Sequence, residues 1–321
     1  MKTIIIFYLL ISNFLSTVNF KCESNHLDKS NTNTSLEIIN FDNKIKGYFN
    51  DDNLEDYLIK DEKKGDKVTL SIFINNGKGY TKKATFDITN DDFESVENPL
   101  QNLFISNPKR GEILVGASCC ASFKTTESCY YKFFETIDSW ILYKISTATV
   151  DSDFIPTIDI TYQDFSYSTD GKTRNNKSLR DKELRSLKEK NLSQLNILYK
   201  KYKDAFDNKS IGKTSGNLNF DDLAEMLTNV PLNKDNINKY NDLAYYLGLS
   251  KGGERPSIFL LKKIIDKEPS RIVAFLNLAD AQWNIEQFDY AKKSYIKYNS
   301  LMKSNSKDLK KIPERVRERI K

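Results

Sequence analysis

Residues 264–295 read IIDKEPSRIVAFLNLADAQWNIEQFDYAKKSY, and their spacing decides what the C-terminal third of the chain is. Apolar and small residues recur at threes and fours through Ala274, Phe275, Leu278 and Ala279, and again through Ala291 and Tyr295, the period of amphipathic helices. Ala279 and Ala291 are small enough to let two such helices approach closely, and Leu278 and Tyr295 are large enough to fill the seam between them. Pro269 ends the helix that comes before. Thirty-five residues upstream of Leu278-Ala279-Asp280 stands Leu243-Ala244-Tyr245, a weaker copy of the same step. Pro313 opens a short charged segment, Glu314 to Ile320, as proline does at a first helical turn.

This pattern resembles the tetratricopeptide repeat, a helix pair written W-x2-L-G-x2-Y, then A-x3-F, then P. Phe275 and Ala279 stand where that family has Trp and Gly, and Gln282 replaces its Tyr. The resemblance implies that first helices line a shared surface on which Asn241, Tyr245, Leu249, Leu276, Asp280 and Trp283 project, a mixture of apolar and amide groups suited to an extended peptide or a helix of a protein partner. The segment after Pro313 would then serve as a solenoid cap. In the alternative arrangement the long helix before these pairs packs onto the surface and makes Trp283 part of the core.

That long helix spans residues 178–206, with Leu184, Leu187, Asn191, Leu195, Leu198, Tyr202 and Ala205 at threes and fours. Residues 172–213 carry thirteen Lys and Arg against five Asp and Glu, a local excess of eight. The acids are interspersed and no aromatic residues follow the basic face, so a solvated linker helix is expected rather than a nucleic-acid or lipid surface. Gly212 to Gly216 ends it.

Between residues 36 and 171 the period changes to that of strands. Runs of β-branched and aromatic residues recur at Leu36–Ile39, Asp56–Ile59, Val68–Ile74, Lys83–Ile88, Leu103–Ile105, Glu112–Ala117, Tyr130–Thr136, Trp140–Ile145 and Ile158–Tyr162. Turn signals fall at residues 76–79, 107–111 and 137–139. No helix-length stretch separates the runs, so an antiparallel meander is expected. Within it, the stretch from Gly47 to Tyr57, GYFNDDNLEDY, sets oxygen-bearing side chains at alternate positions of a tight loop, the arrangement a hard cation such as calcium requires. With the strand of residues 70–80 that follows, it resembles the FG-GAP or integrin-α-like repeat, whose loop reads roughly G-D-x-N-x-D-G-x-x-D. Gly47, Asn50, Asp52 and Asp56 match, which makes Asn50, Asp52 and Asp56 the implied calcium ligands. Tyr48 replaces the first Asp and Asn53 the Gly, so the loop could equally hold its turn by side-chain hydrogen bonds. A single copy of the loop gives no multi-blade propeller.

The N-terminal residues set the compartment. Met1-Lys2 leads into Ile4 to Leu15, twelve mostly apolar residues. At about 18 Å of helix this run is short of a roughly 30 Å hydrocarbon core and reads as a signal peptide over residues 1–20. Residues 21–35 form a polar tether. Cys22 is placed for a lipid anchor, although Phe20 and Lys21 depart from the small residues that a lipidation site carries. Export suits disulfides. Cys120 and Cys129 flank the connection ASFKTTES, and a bridge across that hairpin is expected, with free buried thiols as the alternative.

Composition narrows the chemistry. Of 321 residues 39% are hydrophobic and 29% charged, and 49 Lys and Arg against 44 Asp and Glu leave a net +5, too small to imply nucleic acid. The one histidine, His26, lies beside the leader, which removes Ser-His-Asp, Cys-His and three-histidine zinc chemistry from consideration. Paired acids such as Asp151 with Asp153 or Asp221 with Asp222 stand without supporting neighbours, and no phosphate-binding loop is present. The expectation is an α+β multidomain, non-enzymatic protein of the cell envelope or periplasm: a β domain over 36–171, a basic helix over 172–216 and a tetratricopeptide-like helical domain over 217–321. It would bind protein or peptide and have no transmembrane span in the mature chain. The rival expectation is a ligand-binding or adhesive β domain, calcium-tuned, with the helices as a spacer; a carboxylate hydrolase is the third.

Overall fold

Strand-forming runs with tight glycine and asparagine turns make up the first half of the computed structural model, which describes residues 44–62, 64–119, 124–150, 152–171 and 176–321. The expected leader, the tether with His26 and Cys22, the run Leu36–Ile39, and Cys120 lie outside the described residues. Two antiparallel meanders follow in chain order. The first pairs β1 (Lys44–Gly47), β2 (Asp56–Lys60), β3 (Lys67–Asn75) and β4 (Tyr80–Thr89). The second pairs β5 (Leu103–Ser106), β6 (Glu112–Cys119), β7 (Lys124–Phe134), β8 (Ser139–Val150) and β9 (Pro156–Tyr162). The β3–β4 hairpin turns through Gly77 at φ +81° and Gly79, a geometry that only glycine adopts cheaply.

The sheets share one apolar core. Leu58, Leu70, Ile72, Phe86 and Ile88 of the first meet Ile113, Val115, Tyr131 and Trp140 of the second, all buried. Strand β8, SWILYKISTATV, is buried along both of its faces through Ile145, as a continuous apolar run requires. Its far side meets a third layer.

That layer is helical: α1 (Lys177–Asp207), α2 (Phe220–Asn229), α3 (Ile237–Leu249), α4 (Glu254–Lys267), α5 (Ile272–Asn284), α6 (Phe288–Ser304) and α7 (Glu314–Arg319). Asn219 caps α2 by accepting from the Asp221 N–H at 2.7 Å, an arrangement typically worth about 1 kcal/mol. Each helix from α3 to α6 packs on the next, α3 also touches α5, and α1 lies against both α2 and α3. The basic helix is therefore part of the core, through Leu195, Leu198 and Tyr202. The same cluster takes Ile158 of β9 and Ile155 just before that strand, so among the described residues β-layer and helices fold as one compact unit.

Polar links pin that seam. Lys144 on β8 and Glu225 on α2 form an ion pair at 2.7 Å with side-chain exposures of 6% and 13%. The ammonium also lies 4.0 Å from the centre of the Tyr130 ring. Asn229 donates to the Tyr162 hydroxyl at 2.7 Å, and Lys132 pairs with Glu183 at 2.6 Å. Among the described residues no helix is long and apolar enough to cross a membrane.

One expectation is corrected. Cys129 is a buried free thiol, not half of a Cys120–Cys129 bridge. The strands run on into the segment expected to connect them, so the ladder sets Cys119 opposite Thr125 and Cys129 opposite Val115. Four positions of strand are about 13 Å, beyond the 4.4–6.8 Å between Cα atoms that a disulfide spans. Burial pushes the Cys129 thiol up to about 12, so it stays protonated.

Candidate functional site

The calcium-type loop closes on itself. Between β1 and β2 the chain turns so that the Asp56 carboxylate, wholly buried, accepts the N–H of Phe49 and the N–H of Asn75, each at 2.9 Å. Asn50 donates to Asp52 Oδ2 at 2.7 Å, and its own Oδ1 accepts the Asp52 N–H at 3.1 Å. Asp52 Oδ1 accepts from the Leu54 N–H at 2.8 Å. Arg110 donates to the Asp52 main-chain oxygen and to Asn53 Oδ1, and lies 5.1 Å from the Tyr48 ring centre. A guanidinium thus supplies positive charge beside the loop, and an aromatic ring stands where the family's first carboxylate would be. Every side-chain oxygen of Asn50, Asp52 and Asp56 accepts an internal N–H, so hydrogen bonds alone hold the turn in this arrangement. Among the described residues no group of three or more His, Cys, Asp or Glu is placed to hold a metal ion.

The loop is also a joint between sheets. Asn107 of the β5–β6 turn accepts from the Tyr48 N–H at 3.0 Å and donates to the oxygens of Lys109 and Glu112 at 2.7 and 2.6 Å. Trp140 donates to the Phe49 oxygen at 2.6 Å. Gly47 is needed here because a Cβ would sit 2.9 Å from Asn107. Burial pushes the Asp56 carboxyl up, partly offset by its two amide donors.

The helical surface is different. Tyr245 and Leu249 on α3 are 38% and 39% exposed, as the spacing predicts. Asn241, one turn earlier, is buried and faces Arg271 instead of the surface. Beside Tyr245 stand residues that the repeat pattern does not contain. Phe206 of α1 lies 5.9 Å from Tyr245 and 5.1 Å from Tyr246, and Tyr199 lies 6.4 Å from Tyr246. Leu192, Tyr199 and Phe206 fall at intervals of seven, a second stripe beside the buried one on α1. That interval was readable, but the buried stripe Leu195, Leu198, Tyr202 has the denser pattern. Val273 on α5 is also exposed.

At the other end of this face, Leu276, Asp280 and Trp283 on α5 meet α7. Arg315 donates to Asp280 through Nε to Oδ1 at 2.9 Å and through Nη2 to Oδ2 at 2.6 Å, a two-pronged grip. Tyr295 donates to Asp280 Oδ1 at 2.7 Å and accepts from Arg319. The Arg319 guanidinium lies 4.3 Å from the Trp283 ring centre. Burial, with Asp280 next to the hydroxyl, pushes Tyr295 up to about 12. Leu276 and Trp283 pack on the cluster that contains Val316 and Ile312. Trp283 is covered by α7 and not by α1. Three of the six surface residues named from the spacing are thereby engaged within the chain, two are open, and one is buried.

The β layer has a separate cleft of about 490 Å³, lined by Thr85, Asp87, Asp92, Tyr167 and Thr169 among others. Thr169 Oγ1 is buried without a hydrogen-bond partner.

No protein-family model matches this chain, and no curated protein is significantly similar to it.

Proposed function

We propose that this is a non-enzymatic protein-binding adaptor that captures a protein segment on the face made by α1, α3 and α5. The observation that carries the reading is the aromatic cluster at the surface there: exposed Phe206 and Tyr245 meet each other and Tyr246, with Leu249 exposed one turn on from Tyr245, and Leu192 and Val273 exposed on α1 and α5. Isolated exposed hydrophobics need no explanation, but a contiguous set does. Tyrosine and phenylalanine supply large contact area at little entropic cost, which is why aromatic residues concentrate where proteins meet.

We read α3 with α4 and α5 with α6 as tetratricopeptide-like pairs. Support comes from Ala244, Ala279 and Ala291, all fully buried, and from Tyr295, fully buried at the α5–α6 seam. The leader expected over residues 1–20 supports a place in the cell envelope. The test is a photo-crosslinking amino acid at position 245 of the full chain, with and without Leu249→Ala. A defined crosslinked protein that disappears in the second protein supports the face; crosslinking that is absent or indifferent to Leu249 overturns it. Both side chains are exposed, so the melting temperature is expected to stay within about 2 °C.

The second reading, a ligand-binding β domain with the helices as support, rests on the cleft beside Tyr167 and the buried Thr169 hydroxyl lining it. A ligand that perturbs the NMR signals of Tyr167 and Thr169 and leaves those of Tyr245 alone would favour it.

A further inference from the structure

The C-terminal helix meets α5 the way a bound peptide meets a receptor. Two of its three arginines, Arg315 and Arg319, stand four apart on one face and converge on one cluster: Arg315 grips Asp280, and Arg319 reaches Asp280, Tyr295 and Trp283. A carboxylate gripped by a planar guanidinium through two parallel bonds, beside an aromatic ring that stacks a second guanidinium, selects arginine over lysine. The pairs are not sealed from water: Arg315 is 43% exposed and Asp280 28%, so the charges exchange partners at modest cost. Residues 303–311, which lead into the helix, are exposed throughout, and the chain reverses at Ser306 with φ +51°. The helix is held otherwise by Val316 and Ile312. One repeat earlier, at the position thirty-five residues before Asp280, stands the open Tyr245. An apolar site and an arginine site therefore occupy equivalent places on neighbouring helices.

We infer that Asp280, Trp283 and Tyr295 form an arginine-binding notch that the chain's own C-terminal helix occupies as a tethered ligand, and that the partner is a helical segment with an apolar residue for Tyr245 and an i, i+4 arginine pair that displaces it. The inference rests on the protein-binding reading above and names the chemistry of the partner and the contact that holds the site shut.

The test uses the full chain carrying Arg315→Ala and Arg319→Ala, which leaves Val316 and Ile312 in place, and as probe a synthetic peptide of residues 309–321. Tryptophan fluorescence reads the notch, since Trp140 is fully buried elsewhere. The variant is expected to bind the peptide at least tenfold more tightly than the unaltered chain, and adding Asp280→Asn to the variant is expected to abolish binding, as is replacing Arg315 and Arg319 by alanine in the peptide. Equal affinity for variant and unaltered chain overturns the inference. In parallel, hydrogen exchange of the otherwise unaltered Asp280→Asn chain distinguishes a tethered ligand from a structural cap. Faster exchange confined to residues 314–320 supports the ligand; loss of protection spreading through α5 and α6 overturns it. Neither readout involves Leu249, so the notch can fail while capture at Tyr245 survives, and the reverse.

Discussion

Two aspartates carried the functional expectations of this sequence, and the fold closes both in different ways. Asp56 is closed by backbone: two main-chain N–H groups, Phe49 of the β1–β2 loop and Asn75 of β3, point at it, in a site with no exposure. Asp280 is closed by side chains: two arginines and a tyrosine, with water at the edges. A backbone donor cannot leave unless its stretch of main chain leaves, so the first closure is part of folding. A side-chain donor can rotate away while its helix stays, so the second can be exchanged for another molecule's arginine. The same residue type is a structural knot in one place and a point of recognition in the other.

The difference can be tested by removing acids in order of how they are closed. Glu225 gives the largest effect. Its cation is buried with it, and Glu225→Ala strands the Lys144 ammonium, a loss of about 3–5 kcal/mol in chemical denaturation. Burial works to raise the Glu225 carboxyl, but the Lys144 charge beside it prevails and holds it below the ordinary carboxylate range. Its contribution is therefore present above the unfolded value of about 4.3 and is lost as pH falls through the lower folded value. Acid titration of stability should show a step below pH ~4 that Glu225→Gln lacks. Asp56→Ala comes next. It strands two amides, at about 1–3 kcal/mol each if both stay dry. Its pH signature has the opposite sign, because burial raises the folded carboxyl. Asp56 favours the native state most below its unfolded value of about 3.9 and progressively less as pH rises through the folded one. Asp280→Ala should cost about 1 kcal/mol or less, after allowing for solvent screening of half-exposed pairs, and its effect should appear as exchange at α7 rather than as global unfolding. Smallest is the response to calcium. With the Asp56 knot already satisfied by amides, millimolar calcium is expected to leave the melting temperature unchanged; a rise that tracks calcium concentration would show that the knot opens to admit an ion.

Much of the β layer was legible. The described runs of alternating or β-branched residues fall on strands, and the three turn signals fall on the connections that join β3 to β4, β5 to β6 and β7 to β8. Strand β1 was not, because KIKG is short and half charged and is held by its partner and by the knot at Asp56. The extra length of β6 and β7 was hidden by polar Thr125 and Thr126, which pair at the exposed end of the hairpin. The packing of α1 had a signal in β8: apolar residues on successive positions Trp140, Ile141 and Leu142 mean burial on both faces, which calls for a layer that the first sheet cannot provide. At the candidate site, helical spacing located Tyr245, Leu249 and Asp280. It could not foresee Arg315 and Arg319 reaching back across thirty-five and more residues, since nothing local distinguishes a docked arginine from a solvated one.

The free thiol in the sandwich gives the molecule a built-in clock. Cys129 points into the core shared by both sheets, so a thiol reagent reaches it only when the strands part. Once accessible sulfhydryls have been capped, the rate of its alkylation counts openings of the β layer in an unaltered chain. Repeating the count with the C-terminal peptide or a client present would reveal whether capture on the helices is felt on the far side of β8.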